Sequence, residues 1–449
     1  MYLVMFLKNL FMFLEELISG SIPFFCLITA GLFLSFKSKF LQLRGLSSSF
    51  SLTKKAFSNR KSEKEGISSF QAASTALSAT VGTGNIVGVA GAISLGGAGA
   101  LFWMWIAAFL GMIVKYAEIT LGVLYRDPKK LLGGPMYYIK NAMPAPFKFF
   151  GTIFSAVCLL SVFSSGNITQ VNAAVTSFSD NFHVNLILGL IFCFLSAVCL
   201  FGGLKRIAAV TEKLVPLMSL VYIMLCLVII ISRFEALPKV FSIIFKGAFS
   251  PESVTGGVLG SVSKTAFIGA SRGVFSNEAG LGTSAIAHAS AFDADSKTQG
   301  LFGIFEVFLD TLVICSLTGL TILVSGVKIN YGEDLSSILT VNAFSVTFGT
   351  FSQILISAML CIFSFSSVIG WAFYGETALR FLFKGKFINI FKVLYPLFCV
   401  IGAVCETSVA WRISAFFNGM MLIINLASII FLNDNVFKKR EIMYDKEKD

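Results

Sequence analysis

The chain has 449 residues, 56% of them hydrophobic and only 13% charged, with a net charge of +11, whereas a soluble chain carries about 25% charged residues. Apolar runs long enough to cross a bilayer recur along its length and exclude a soluble protein. They do not alternate residue by residue, which excludes a transmembrane β-barrel and leaves a polytopic all-α membrane protein.

In chain order, the first twenty residues are apolar but interrupted by Lys8, Glu15 and Glu16, a pattern of a leading or interfacial helix rather than a cleaved signal. The apolar runs predict eleven helices, over 17–36, 67–97, 99–125, 149–177, 184–203, 211–232, 253–288, 300–325, 344–379, 388–405 and 411–432. The 37–65 connection holds eight Lys/Arg and the 126–148 connection five. Alternate connections together collect twenty-six basic residues on one side of the membrane against six on the other. This bias places the N-terminus outside and the C-terminus in the cytoplasm, as an odd number of crossings requires. The same distribution makes the positive charge a matter of topology, with no nucleic-acid partner expected. Residues 37–65 are too few for a core of their own and read as a basic cytoplasmic loop against lipid headgroups. The nine cysteines form no CxxC pair and no Cys/His cluster, so they read as small apolar core residues.

The second run is too long for one crossing. Thirty residues rise about 45 Å against a hydrocarbon core of about 30 Å. Its middle reads "SATVGTGNIVGVAGAISLGG", residues 78–97, with six glycines. Glycine weakens a helix by about 1 kcal/mol relative to alanine, and Thr83 and Asn85 offer the backbone competing hydrogen bonds. Close packing accounts for the Gly88, Ala92, Gly96 ridge, but not for polar residues wedged between Gly82 and Gly84. A break at 82–85 does. Unwound backbone at membrane depth exposes N–H groups on one side and C=O groups on the other, suited to a carboxylate and to a cation or ammonium. The spacing is not that of a nucleotide loop.

The seventh run, 253–288, contains "SRGVFSNEAGLG", with Arg272, Ser276, Asn277 and Glu278 between glycines. Each irregular run is followed by four more, so 67–232 and 253–432 read as two five-helix halves. They are flanked by an N-terminal helix and basic loop, 1–66, and by a cytoplasmic tail, 433–449. Gly-interrupted spans at matching positions of two halves point to an inverted-repeat carrier. A membrane enzyme would need a nucleophile–base pair or a metal cluster, and neither His183 nor His288 has a partner nearby in sequence. A channel would need repeated polar pore-lining faces.

The stretches "VGTGNIVGVA" (81–90), "LFWMWIAAFLGM" (101–112), "GGPMYYI" (133–139), "NITQVN" (167–172), "SRGVFSNEAGLGTSAIAHA" (271–289) and "GWAFYGE" (370–376) resemble those of the alanine or glycine:cation symporter family. They run in that family's order from about residue 65 to 380. The resemblance implies the five-plus-five inverted repeat of the bacterial leucine transporter with one extra N-terminal helix, in a bacterial or archaeal plasma membrane. It implies uptake of small neutral amino acids, alanine or glycine, with Na+ as coupling ion and no further cofactor. Coupling to protons, or a sensor that binds without transporting, are the alternatives. A monomer is the working expectation. The chain departs from the family at Ala98, where proline is usual, and in "AFYGE" after Trp371.

Carried onto this sequence, the resemblance places the substrate carboxylate at the N–H groups of Thr83, Gly84 and Asn85. Its ammonium would meet carbonyls from Gly273 to Ser276 and the side chain of Gln170, with Phe275 and Trp371 as pocket walls. Sodium would take oxygens from Thr80, Val81, Gly84, Ser364, Ser366 and Ser367, since it is a hard cation. Arg272, Asn277 and Glu278 form a gate or ionic network. Lys115 and Glu118, three apart, read as a structural pair near the cytoplasmic end. Glu306 and Asp310 share a face at i,i+4, as a proton relay or as hydrogen-bond partners of neighbouring helices.

Overall fold

The computed structural model describes residues 17–58, 66–179, 181–250, 252, 255, 261–333 and 338–437. The predicted leading segment with Lys8, Glu15 and Glu16, the start of the 253–288 run and most of the tail lie outside the described residues. Among the described residues the chain is helical, with two isolated β-bridges and no strand.

Helices stand at all eleven predicted positions. They are α1 (Ile22–Lys37), α3 (Ser69–Thr80) with α4 (Val87–Gly96), α5 (Ala100–Leu124), α7 (150–178) and α8 (Phe182–Phe201), then α9 (Gly203–Ser232), α11 (Val262–Asn277) with α12 (Thr283–Ala289), α13 (Ser296–Ser325), α15 (Phe351–Phe383), α16 (Ile388–Val404) and α17 (Thr407–Phe431). Seven of them are long and apolar enough to cross a membrane, and the bent pair α3–α4 makes an eighth. The chain is thus a multi-pass membrane protein. Its outer helices turn large apolar side chains outward, among them Phe194 at 67% exposure and Ile231 at 70%, as a lipid-facing surface requires.

Several helices lie outside the predicted runs or change them. The basic connection contains α2 (Leu46–Ser58), whose Phe50 ring sits 5.3 Å from Phe305 and 5.1 Å from Phe308, so it packs on α13 as well as carrying charge. An amphipathic α6 (Pro135–Ala142) starts on a proline at its first turn, where the missing N–H costs nothing. A further helix, α10 (Leu237–Phe249), packs so closely on the turn before α5 that a Cβ on Gly99 would lie 2.1 Å from the Gly247 carbonyl carbon. The predicted 344–379 run is divided: α14 (Leu339–Phe348) ends at Gly349 in the left-handed region (φ 61), and α15 begins at Phe351. Finally, α9 starts eight residues earlier than its apolar run and absorbs the basic 204–213 connection as helix.

Both irregular spans are broken in the middle. A reciprocal Ser68–Gln71 capping box starts α3. The chain leaves the helix at Val81, makes a 3-10 turn over Thr83–Asn85 and resumes at Val87, bending the axis by 56°. The second span ends α11 at Asn277. It crosses Glu278 (φ 54), Gly280 (φ 88) and Gly282 (φ 81), all left-handed, before α12 begins. Two of those three positions are glycine, which reaches this region without steric cost.

The broken spans lie side by side and antiparallel, α3 packing on α12 and α4 on α11. The α3–α12 end is tied by a chain of bonds. The Phe292 N–H donates to the Ile67 carbonyl at 3.0 Å, and Ser69 donates to Asp293 through its N–H (3.0 Å) and hydroxyl (2.7 Å). Gln299 Nε2 donates to the Ser69 hydroxyl at 2.5 Å. His288, fully buried, lies between Gln299 Oε1 and Glu306 Oε1, 2.5 Å from each. The partner that sequence proximity did not show for His288 comes from α13.

The site between the two broken helices

The first break meets the last turn of α11. A Cβ on Gly84 would lie 3.3 Å from the Ser276 Cα and 3.5 Å from the Phe275 ring, so glycine eases an approach that any larger residue would crowd. Asn85, fully buried, fixes the shape of the first break: its Oδ1 accepts the Gly82 N–H at 2.9 Å. Its Nδ2 donates to Asp310, to Oδ1 at 2.7 Å and to the carbonyl at 3.2 Å. Thr83 donates its hydroxyl (3.0 Å) and N–H (3.3 Å) to Gln170 Oε1, and Gln170 Nε2 donates to the Ser165 carbonyl at 3.2 Å.

Asp310 is the residue that sequence reasoning underweighted. It is fully buried in α13, inside a π-helical stretch over Phe308–Cys315. Its Oδ2 accepts the hydroxyls of Ser276 and Thr311, each at 2.8 Å. One carboxylate therefore joins Asn85 of the first break to Ser276 in the last turn of α11, just before the second break. Glu306, four residues earlier, belongs instead to the His288 network. A second π-helical turn, Ser164–Ile168 in α7, precedes Gln170. Such turns recur at functional sites because they re-aim side chains and free backbone groups.

The candidate cation ligands fall into two groups. Thr80 donates back to its own helix, to Ala76 and Leu77 carbonyls, and Ser364 donates to the Gln170 carbonyl at 2.7 Å. The hydroxyls of Ser366 and Ser367 are buried and have no hydrogen-bond partner among the described residues. Ser367 Oγ faces the first break, 2.4 Å from where a Cβ on Gly82 would stand. Val81, between Thr80 and Gly82, is fully buried. An uncompensated buried hydroxyl costs about 1–3 kcal/mol, which a bound cation would offset.

The predicted walls have different neighbours. Trp371 is buried against Gly166, where an added Cβ would lie 2.3 Å from the Trp371 Cβ. Gly166→Ala is therefore expected to destabilise the protein by about 1–3 kcal/mol through overpacking, read as a lower melting temperature in detergent. Phe275 stacks 4.8 Å from Trp411 of α17, and the Arg272 guanidinium lies 4.9 Å above the same indole. These three line a cavity of about 590 Å³ that extends to Phe24 of α1. Glu278 accepts the Thr283 hydroxyl at 2.6 Å, and Asn277 Nδ2 donates to the Thr311 hydroxyl at 3.1 Å. Gly273 packs on Met104 of α5, 3.4 Å from its Cα to an added Cβ. Among the described residues no cluster of His, Cys, Asp and Glu is arranged to hold a metal ion of the kind they ligate.

A family model described as the sodium:alanine symporter family matches residues 4–449. The chain belongs to that family. It is a carrier, not an enzyme. The Methanococcus maripaludis sodium/alanine symporter AgcS is 36% identical to this symporter over 433 residues, 94% of each chain. A probable sodium/glutamine symporter, GlnT of Bacillus subtilis, is also 36% identical, over 94% of this chain and 88% of its own. The crystal structure of MhsT in complex with L-phenylalanine shares the symporter's fold, with a TM-score of 0.56 at 16% identity over 80% of this chain and 89% of that one.

Proposed function

We propose that the protein carries a small neutral amino acid, alanine or glycine, into the cell together with Na+, by alternating access. The observation that carries this reading is the meeting of the first break at Gly84 with the last turn of α11 at Ser276, beside the unpartnered hydroxyl of Ser367. The first break offers the Gly84 N–H, with Thr83 and Asn85 on either side of it, to the substrate carboxylate. The last carbonyls of α11, at Phe275 and Ser276, receive the ammonium, and Gln170 holds the first break beside them. Close approach of Gly84 to Phe275, with Trp371 nearby in sequence to the Ser366–Ser367 pair, favours a small side chain. Sodium lies between the Val81 and Gly84 carbonyls and Ser367, with Ser366, Thr80 and Ser364 completing the oxygen-rich wall.

The reading includes topology. The basic connections put the N-terminus outside and the C-terminal tail in the cytoplasm of a plasma-membrane protein. Residues 67–232 and 253–432 are the two inverted halves, as the antiparallel breaks suggest. A single chain contains both breaks, so a monomer suffices, and lipid is its surrounding partner. Arg272, Asn277 and Glu278 flank the second break as its network.

The test is uptake of labelled alanine, glycine and glutamine into proteoliposomes under an inward Na+ gradient, an inward H+ gradient or neither. Concentrative alanine or glycine uptake under Na+ alone is expected. Uptake driven only by a pH gradient would replace Na+ with a proton, for which Asp310 is the acceptor between the breaks. Preference for glutamine would overturn the small-substrate assignment, and binding without movement would make the protein a sensor. Ser367→Ala is expected to raise the half-saturating Na+ concentration about tenfold by removing one oxygen ligand. At saturating Na+ its alanine affinity should match the unmodified protein.

A further inference from the structure

The second break is gripped from the side by α5. Lys115 and Glu118, one turn apart on that helix, are both fully buried. The Lys115 ammonium donates to the Asn277 carbonyl, the last of α11, at 2.9 Å. Glu118 Oε2 accepts the N–H groups of Gly280 and Gly282, each at 3.1 Å. The cation thus meets the carbonyl end of one half-helix, and the carboxylate meets the N–H groups that lead into the next. Both signs match the partial charges an opened helix leaves. The two side chains are 3.8 Å apart. Asn425 of α17 extends the arrangement, donating to Glu118 Oε2 at 3.0 Å and to the Gly280 carbonyl at 2.8 Å. Its own oxygen accepts the hydroxyl of Tyr138, from α6.

Stability alone does not account for this pair. Desolvating two charges offsets most of their attraction, and apolar residues of similar volume hold helices together at least as well. What an apolar pair does not do is satisfy both ends of a break at a fixed separation, here three residues of helix, a rise of about 4.5 Å. Asn277 follows Ser276, whose carbonyl is assigned to the substrate ammonium, so fixing Asn277 fixes the direction of that carbonyl.

We propose that Lys115 and Glu118 are positioning residues, a charged clasp that sets the width of the second break and so the aim of the Phe275 and Ser276 carbonyls. The proposal rests on the substrate site described above; neither residue touches the substrate. Without the clasp the break samples other shapes, and binding must first select the competent one.

The experiment uses the full-length carrier with Glu118→Gln, Lys115→Met and the double variant. In proteoliposomes, Glu118→Gln is expected to raise the KM for alanine about tenfold while the maximal rate stays within about threefold. The double variant, which leaves no lone buried charge, should fold in better yield than either single one and keep the high KM. A folded Glu118→Gln protein with an unchanged KM overturns the clasp, and so does a lower maximal rate at unchanged KM. Hydrogen exchange of the 278–285 backbone, without any amino acid present, supplies a second reading. Exchange at Gly280 and Gly282 should quicken about tenfold in Glu118→Gln, and unchanged protection also overturns the clasp. If the unmodified carrier moves no amino acid, the substrate reading fails while the exchange measurement still decides this one.

Discussion

Asp310→Ala is expected to lower amino-acid uptake at least about 100-fold in protein that still folds and inserts. The carboxylate is the acceptor for Asn85 Nδ2, Ser276 Oγ and Thr311 Oγ1. Removing it takes the carboxylate from three buried donors, leaving Asn85 the Asp310 main-chain carbonyl and leaving Asn85 and Ser276 the Cys315 sulfur, at about 1–3 kcal/mol for each bond left unmade. Two of those donors belong to the two breaks, so the penalty falls on their mutual alignment, and each 1.4 kcal/mol is about tenfold in binding. Equilibrium binding of labelled alanine, with thermal melting as a control for folding, reads the effect directly. Asp310→Asn divides it: the amide retains one acceptor and the shape but no charge. Recovery of uptake in Asp310→Asn would assign the role to hydrogen bonding through one oxygen, and an equal loss would show that both carboxylate oxygens are needed. Normal uptake by folded Asp310→Ala would mean that the breaks are aligned by something else.

Gly82→Val should weaken substrate binding roughly 10- to 100-fold without hindering membrane insertion. The added Cβ falls 2.4 Å from Ser367 Oγ and 3.0 Å from Gln170 Oε1. The second of these groups is already committed to Thr83. Two further methyls have no room, and overpacking of about 1–3 kcal/mol corresponds to a loss of roughly 10- to 100-fold in affinity. Insertion depends on hydropathy, which valine does not lower. Gly82→Ala should show the same defect more weakly, because one methyl can be met by rotation of the Ser367 hydroxyl. Binding isotherms of both variants, with the inserted fraction measured beside them, test the order. Wild-type affinity in inserted Gly82→Val would remove the first break from the site.

How much of this was legible beforehand depends on the range of the signal. The breaks are readable because their cause is local: Thr83 and Asn85 between glycines, and Gly280 and Gly282 just after Glu278, weaken a helix wherever they stand. The contact between breaks at Gly84 and Ser276 followed from the resemblance, not from spacing. Asp310 was visible only as one of a pair with Glu306, because i,i+4 geometry says nothing about partners 225 positions away, such as Asn85. The π-helical stretch around Asp310 has no sequence signature, and the two carboxylates serve different networks. Lys115 and Glu118 were read as a pair with each other for the same reason. Their spacing was informative, but the backbone groups they hold lie some 160 residues further on. Extra helices such as α2 and α10 were missed because amphipathic surface segments fall below the apolar threshold that marks a crossing.

The bonds that tie α3 to α12 limit how the symporter can move. The Ile67–Phe292 backbone bond, the Ser69–Asp293 pair and the Ser69–Gln299–His288 chain join the first half of one broken span to the second half of the other. Shifting either half alone would break several hydrogen bonds, at about 1 kcal/mol or more apiece. The pair therefore has the degrees of freedom of one lever rather than two. With its end locked, rotation concentrates where the backbone N–H groups lack helical bonds, at Gly82 and at Ala279–Gly282. Those two segments form a single compound hinge, and a substrate bound at the proposed site bridges it and so sets the stiffness of the joint.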